Sequence, residues 1–243
     1  MNANEKIAWG SVNTIIKELK HNVNDATQKT LTLVLLAAGK SSRFNGIKLA
    51  QPIVDLNADG VLVNQPLLLH SLDKLNYLAD YLTANNIANN VVVVLGSHHS
   101  ELSQLLPIST TYITNDKSDN GLSTSVKVGV EAAISTHASG LLLALGDHIG
   151  VTYTDYMKLA DLWVIQQSNV CASYQAQLGV PAIFTSDQFS ALTQLKGDQG
   201  AKPVLQQLVK NKQLTCLDLP NAINDIDTRN DLLQWQQLQL NNQ

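Results

Sequence analysis

The sequence predicts an α/β fold, a doubly wound and mostly parallel sheet with helices on both faces. Three observations carry that expectation. Short apolar runs at Leu31–Ala37, Val91–Leu95 and Leu141–Leu145 are rich in Val or Leu, the pattern of strands buried on both faces. Apolar residues recur at helical spacing over Pro66–Leu82, Leu122–Ser135 and Thr154–Gln167, between and after these runs. The first run opens into a Gly- and Ser-rich loop, and sheets of this class bind ligands at the carboxyl ends of their strands.

Taken in order, the elements begin with Trp9, Val12, Ile15, Ile16 and Leu19 at helical spacing, followed by the polar stretch His21–Thr30. An amphipathic helix and linker are expected over residues 1–30, docking on the main domain, 31–243, or on a partner. After the first strand, two apolar segments in Pro52–Val63 flank Asn57-Ala58-Asp59-Gly60, a β-hairpin with Gly at its tip. Pro66 stands where a first-turn proline is tolerated. Further strands are expected at Val170–Tyr174, around Val180–Phe184 and at Gln213–Leu217. Helices are expected near Gln199–Lys210 and Thr228–Gln239.

Composition narrows the function classes. The 243 residues suffice for one large domain or two small ones, and only 15% are charged, against about 25% in typical soluble domains. The formal charge of −4 argues against a nucleic-acid surface working by bulk charge. Met1–Gly10 lacks a secretory pattern and every apolar run falls well short of the ~20 residues of a membrane helix. A cytoplasmic protein without membrane or nucleic-acid partners is expected. Cys171 and Cys216 each sit in a short apolar, strand-like run with no CxxC or His-rich neighbour, and read as buried structural thiols. His98-His99 reads as a loop or helix start in preference to a metal pair.

The segment Leu35–Lys48 is the most informative. Its small residues let backbone N–H groups approach an anion, the Ser hydroxyls add donors, and Arg43 and Lys48 bring charge at two points. No Asp or Glu occurs from Ala26 to Val54, while Lys29, Lys40, Arg43 and Lys48 do, so this window carries +4 within a chain of −4. A Walker A loop is excluded because Val34 stands where its first Gly is required, and G-x-G-x-x-G is absent.

The run Leu36-Ala37-Ala38-Gly39-x-Ser41-Ser42-Arg43, with Lys48 five residues beyond, resembles the signature of the molybdenum cofactor nucleotidyltransferases, in particular their cytidylyltransferase branch. Five further stretches resemble the family's motifs in order: Asn115 to Gly129 with Gly121-Leu122-Ser123-Thr124-Ser125, Leu145-Gly146-Asp147, Gly179–Phe184, Gly197–Ala201 and Asp225-Ile226-Asp227-Thr228. Together they span about Leu31 to Gln236. The chain departs from the pattern at Asn45, which displaces a Gly to position 46, at Ile149 in place of Pro, at Arg229, and in a longer hairpin.

The resemblance implies a Rossmann-like nucleotidyltransferase sheet and transfer of CMP from CTP, or another NTP, to the phosphate of a pterin cofactor with release of pyrophosphate. It implies Arg43, Lys48 and Asp147 as catalytic residues. Ala37, Ala38, Gly39, Ser41, Ser42, Arg43, Lys48, Gly121, Ser123 and Ser125 would contact the nucleotide, and Asp147 and Asp227 would hold Mg²⁺. Asp227 also suits a helix cap, and Asp198 either caps the helix that follows it or contacts substrate. His148 either touches substrate or fills the place of a family Gln or Met. Ala38 stands where the guanylyl branch has Gly, and its methyl favours a pyrimidine. Two other readings remain open: transfer to a sugar or alcohol phosphate, and a non-catalytic carrier that hands cofactor to an acceptor apo-enzyme.

Overall fold

The computed structural model describes residues 29–241, and the expected helix over Trp9–Lys20 lies outside them. Nine strands and seven helices alternate along these residues. They are β1 Thr30–Ala37, β2 Pro52–Leu56, β3 Leu62–Pro66, α1 Leu67–Ala84, β4 Ala88–Leu95, α2 His99–Leu102, β5 Tyr112–Thr114, α3 Leu122–Ser135 and β6 Gly140–Leu145. There follow α4 Tyr153–Gln166, β7 Asn169–Tyr174, β8 Gln177–Thr185, α5 Phe189–Thr193, α6 Lys202–Lys210, β9 Leu214–Asp218 and α7 Arg229–Asn241. Seven strands form one sheet in the order β5-β4-β1-β6-β8-β7-β9, and β2 pairs with β3 apart from it. Strand β1 runs parallel to β4 and β6, while β8 is antiparallel to β6 and β7. The expected mostly parallel, doubly wound class is the observed one.

The period of two along β1 divides the core. Leu31, Leu33 and Leu35 join α1 and α4 in one apolar cluster, and Val34 and Leu36 join α3, α5 and α6 in the other. Both faces are therefore covered, which is why β1 reads as an unbroken apolar run. Each fully buried Leu contributes about 1.5–3 kcal/mol, so a one-residue slip of β1 would forfeit both clusters.

The hairpin is present and longer than expected, ending at Pro66 rather than Val63. Pro66 closes β3 and is the residue preceding α1, whereas a first-turn place was expected. Thr152 caps α4 by a full capping box with Asp155. Helix α2 starts at His99, in keeping with the loop or helix-start reading. Asp198 does not follow expectation. Its Oδ1 accepts a bond from Leu122 N at 3.3 Å, while Gly197 O accepts from Ser123 N at 3.0 Å. Asp198 thus caps α3, far earlier in the chain, because Gly121 precedes that helix with no side chain to cap it. Cys171 is buried as expected, but Cys216 is exposed, since β9 is an edge strand. No helix among the described residues is long and apolar enough to cross a membrane.

Candidate active site

Parallel pairing brings the carboxyl ends of β1, β4 and β6 to one edge of the sheet. There Gly146 N donates to Leu36 O at 3.0 Å, stitching the exit of β6 to that of β1. The Gly-Ser loop leaves β1 with Gly39, Lys40, Ser42 and Arg43 exposed. It turns back through left-handed Ser41, φ 53°, and Asn45, φ 54°, followed by Gly46 at φ 141°, a value that few side chains tolerate. Phe44 is buried beneath it. The loop closes where Lys48 N donates to Ser41 Oγ at 3.3 Å.

Lys48 then points into the sheet edge, 7% exposed. Its ammonium donates to Asp147 Oδ2 at 2.7 Å and to Asp227 Oδ1 at 3.0 Å. Burial works to lower its pKa, yet the charges and hydrogen bonds of Asp147 and Asp227 outweigh burial and leave it raised. Arg43 Nη1 meets the other oxygen of Asp227 at 2.9 Å, from a side chain that is 75% exposed. A contact so open to water is worth about 0–1 kcal/mol, so the guanidinium is free to exchange partners.

Asp147 and Asp227 come from distant segments that the backbone holds together. Asp147 O accepts from Ile226 N at 3.0 Å, and Gly150 N donates to Asn224 O at 3.0 Å. Behind this loop, two polar side chains of α1 grip its ends: Ser71 Oγ donates to Gly146 O at 2.7 Å and Lys74 Nζ to Ile149 O at 2.8 Å. Lys74 also lies 3.8 Å from Asp55 of the hairpin. Burial pushes the Lys74 pKa down despite that partner.

Beside Asp147, a cavity of about 240 Å³ is lined by His148, Tyr174, Gln175, Gln177, Ile223 and Asp225 among others. His148 is 8% exposed, its Nδ1 has no hydrogen-bond partner, and its ring meets Tyr174 edge-on at 6.5 Å. Burial lowers the His148 pKa in spite of Asp147 and Asp225, so the ring is neutral near pH 7. Burial, then the charges of Asp227 and Asp147, raise the Asp225 carboxyl.

Arg43, Lys48, Asp147 and Asp227 are therefore assembled in one cluster, with Ala37, Ala38, Gly39, Ser41 and Ser42 along its adjoining loop. Gly121, Ser123 and Ser125 stand at the start of α3. Both serines are buried at 2% exposure, and Ser125 Oγ accepts from Asn115 Nδ2 at 2.9 Å. A bridge between Lys40 and Asp119 at 3.1 Å joins this region to the Gly-Ser loop. Asp227 serves no helix cap through its side chain; that task falls to Thr228 and Asp231, each accepting from the other's backbone N–H.

The sequence reading assigns no role to Ser71 or Lys74, and marks Arg229 only as a departure from the family pattern. Arg229 Nη2 donates to Asn45 O at 3.0 Å and its guanidinium stacks over Phe44 at 5.3 Å. Ser71 and Lys74 left a legible signal, two polar residues at i and i+3 in the apolar stripe of Leu67, Leu68, Leu75 and Leu78.

Residues 33–212 match the model of the MobA-like NTP transferase domain, so Asp225, Asp227 and Arg229 lie beyond the matched span. Comparison with curated proteins gives no match. Among solved structures, the fold is similar to a nucleotidyl transferase from Methanothermobacter thermautotrophicus, with TM-score 0.68 and 19% identity over 88% of this chain and 99% of that one. It is similar to Rv0371c from Mycobacterium tuberculosis, with TM-score 0.63 and 21% identity over 87% and 100%, a protein also solved in complex with manganese. Molybdopterin-guanine dinucleotide biosynthesis protein A from Archaeoglobus fulgidus is a more distant likeness, with TM-score 0.51 and 13% identity over 86% and 99%.

Proposed function

The chain belongs to the MobA-like NTP transferase family, and from that premise we propose that it transfers CMP from CTP to the phosphate of molybdopterin, releasing pyrophosphate. The observation that carries this reading is the Lys48 ammonium, buried between Asp147 and Asp227 at the root of an exposed Gly-Ser loop. In such a transfer the nucleophile is an ionised phosphate oxygen, so the protein supplies position and charge and needs no general base.

The exposed N–H groups of Gly39 to Ser42 would cradle the triphosphate. Arg43, with its planar fork and exchangeable contact, would take the β- and γ-phosphates. Lys48 would hold the α-phosphate and the acceptor phosphate at one nitrogen, neutralising charge as both approach. Asp147 and Asp227 suit a divalent cation of the Mg²⁺ kind. One oxygen of each meets the Lys48 ammonium, so the two carboxylates stand close enough together to share a cation beside that lysine. Mg²⁺ is held in this way by one or two carboxylates, its shell completed by phosphate oxygens and water. When bound it would screen the phosphates and polarise the α-phosphorus.

For the base, Ala38 matters through Gly96. A methyl on Gly96 would stand 2.5 Å from Ala38 O and 2.9 Å from its Cβ, so Ala38 packs directly on the exit of β4. The Ala38 methyl at this junction supports a pyrimidine. The acceptor body would lie in the cavity of His148, Tyr174 and Asp225. Its lining carries no Lys or Arg, so it suits a neutral, hydrogen-bonding body whose only anion is the attacking phosphate. This observation also supports the second reading, transfer to a sugar or alcohol phosphate. Both reactions join soluble phosphates and fit a cytoplasmic setting.

Pyrophosphate release should be measured with each of the four NTPs, with molybdopterin and with a panel of phosphorylated sugars and alcohols. Release with CTP and molybdopterin is expected, and Ala38→Gly should raise turnover of GTP relative to CTP. Equal use of CTP and GTP by the unaltered protein would refute the base assignment. Turnover with another acceptor and none with molybdopterin would establish the second reading.

A further inference from the structure

Cys171 and Cys216 stand apart from the proposed catalytic groups, on neighbouring parallel strands β7 and β9, and are direct register partners. Their Sγ atoms are 3.9 Å apart, with the Cys171 thiol directed at Cys216. One is buried and the other exposed. We infer that they form an oxidisable dithiol, a modification site in which exposed Cys216 attacks a small disulfide oxidant and buried Cys171 resolves the adduct into an intramolecular disulfide.

The backbone already meets the requirement. Neighbouring strands lie about 4.7–4.9 Å apart, inside the roughly 4.4–6.8 Å between Cα atoms that a disulfide spans. Register pairing puts both side chains on the same face of the sheet, so side-chain rotation with a small strand adjustment closes the remaining gap. Two features supply that adjustment. Strand β9 ends the sheet and is paired only with β7, and the β7–β8 ladder shifts its register between Cys171 and Ala172.

The two thiols also divide the chemistry. The bond from Cys171 lowers the Cys216 pKa and favours its thiolate. The same bond, and then burial, push Cys171 up and keep it protonated. With a low-molecular-weight disulfide RSSR, the Cys216 thiolate attacks one sulfur, forms Cys216–S–SR and expels RS⁻. Cys216 is then neutral, and the pairing that held the Cys171 proton is gone. Cys171 loses that proton, attacks Cys216 Sγ, and the second RS⁻ departs. Two protein thiols lose two electrons in all, and one RSSR becomes two RSH.

The bond would tie β9 to the strand that ends at Tyr174. From β9 the chain runs through the turn Pro220–Ile223 to Asp225 and Asp227, so oxidation anchors the arm that completes the site. The test needs no knowledge of the substrate. The full chain, in native buffer near neutral pH, is treated with oxidised glutathione, then followed by intact mass, thiol alkylation and peptide mapping. The expected product has lost two hydrogens, retains no glutathione, shows a peptide joining Cys171 to Cys216, and is reversed by dithiothreitol. Cys171→Ser should instead stop at a glutathione adduct on Cys216. A stable adduct on Cys216 of the unaltered protein, a dimer linked through Cys216, or two alkylatable thiols after treatment would each overturn the inference. Because the unaltered protein alone decides it, misfolding of the variant leaves the test intact.

Discussion

Lys48 keeps its charge in a buried place because two carboxylates compensate the lost hydration. Its position at the end of a sequence motif was legible, but its burial and its second partner were not, since Asp227 is 179 residues away. Replacing it by Met should lower kcat by about 10²–10³ or more, the scale of losing one preorganised charge partner. The stability cost should be modest, about 1–3 kcal/mol, because Asp147 and Asp227 are 26% and 30% exposed and water screens the pair left behind. The sign with pH follows from the raised pKa. Pairing contributes its full stability below the unfolded value near 10.5, and loses it as pH rises through the higher folded value. Denaturant midpoints should therefore fall more steeply above about pH 10.5 in the unaltered protein than in Lys48→Met; parallel profiles would contradict the pairing.

Helix α1 is more than a cover for the sheet. Its apolar stripe was readable from spacing, whereas the use of Ser71 and Lys74 depended on which carbonyls the folded chain would set opposite them. These carbonyls, of Gly146 and Ile149, bracket Asp147 and His148. Ser71→Ala should leave the fold intact and raise the Mg²⁺ concentration for half-maximal turnover by about 10-fold, the usual scale of losing an outer-shell partner. Unchanged Mg²⁺ dependence would remove Ser71 from that role. Lys74→Met is a different case, because it leaves Asp55 buried without its cation and should cost about 3–5 kcal/mol by chemical denaturation. The loop after β1 shows the same division. Its Gly and Ser content was informative, but the clamp by Arg229 is formed only when α7 arrives.

Across the whole molecule, the site is a meeting of the β1 loop, the β6 loop, α1 and the segment Asn224–Asp227. Gly150 sits at the closest approach, where a methyl group would collide with the backbone oxygen of Asn221. Gly150→Ala should thus push the Asp227 arm away from Asp147, lowering both turnover and the denaturation midpoint. Turnover equal to that of the unaltered protein would show that Asp227 needs no such seating. By itself the sequence determined most strands and the longer helices, though not β5 or α5, together with the mostly parallel class of the sheet and the loop in which Arg43 and Lys48 stand, because these depend on the spacing of apolar residues and on short-range backbone chemistry. Tertiary structure alone decided that Asp227 joins Asp147 on one lysine, that Asp198 caps a helix begun 76 residues before it, and that the two cysteines are neighbours with unequal exposure. Those pairings depend on sheet order and on the path of the last segment. Local spacing encodes neither, because such contacts form only once burial of both faces of the sheet has fixed where distant strands end.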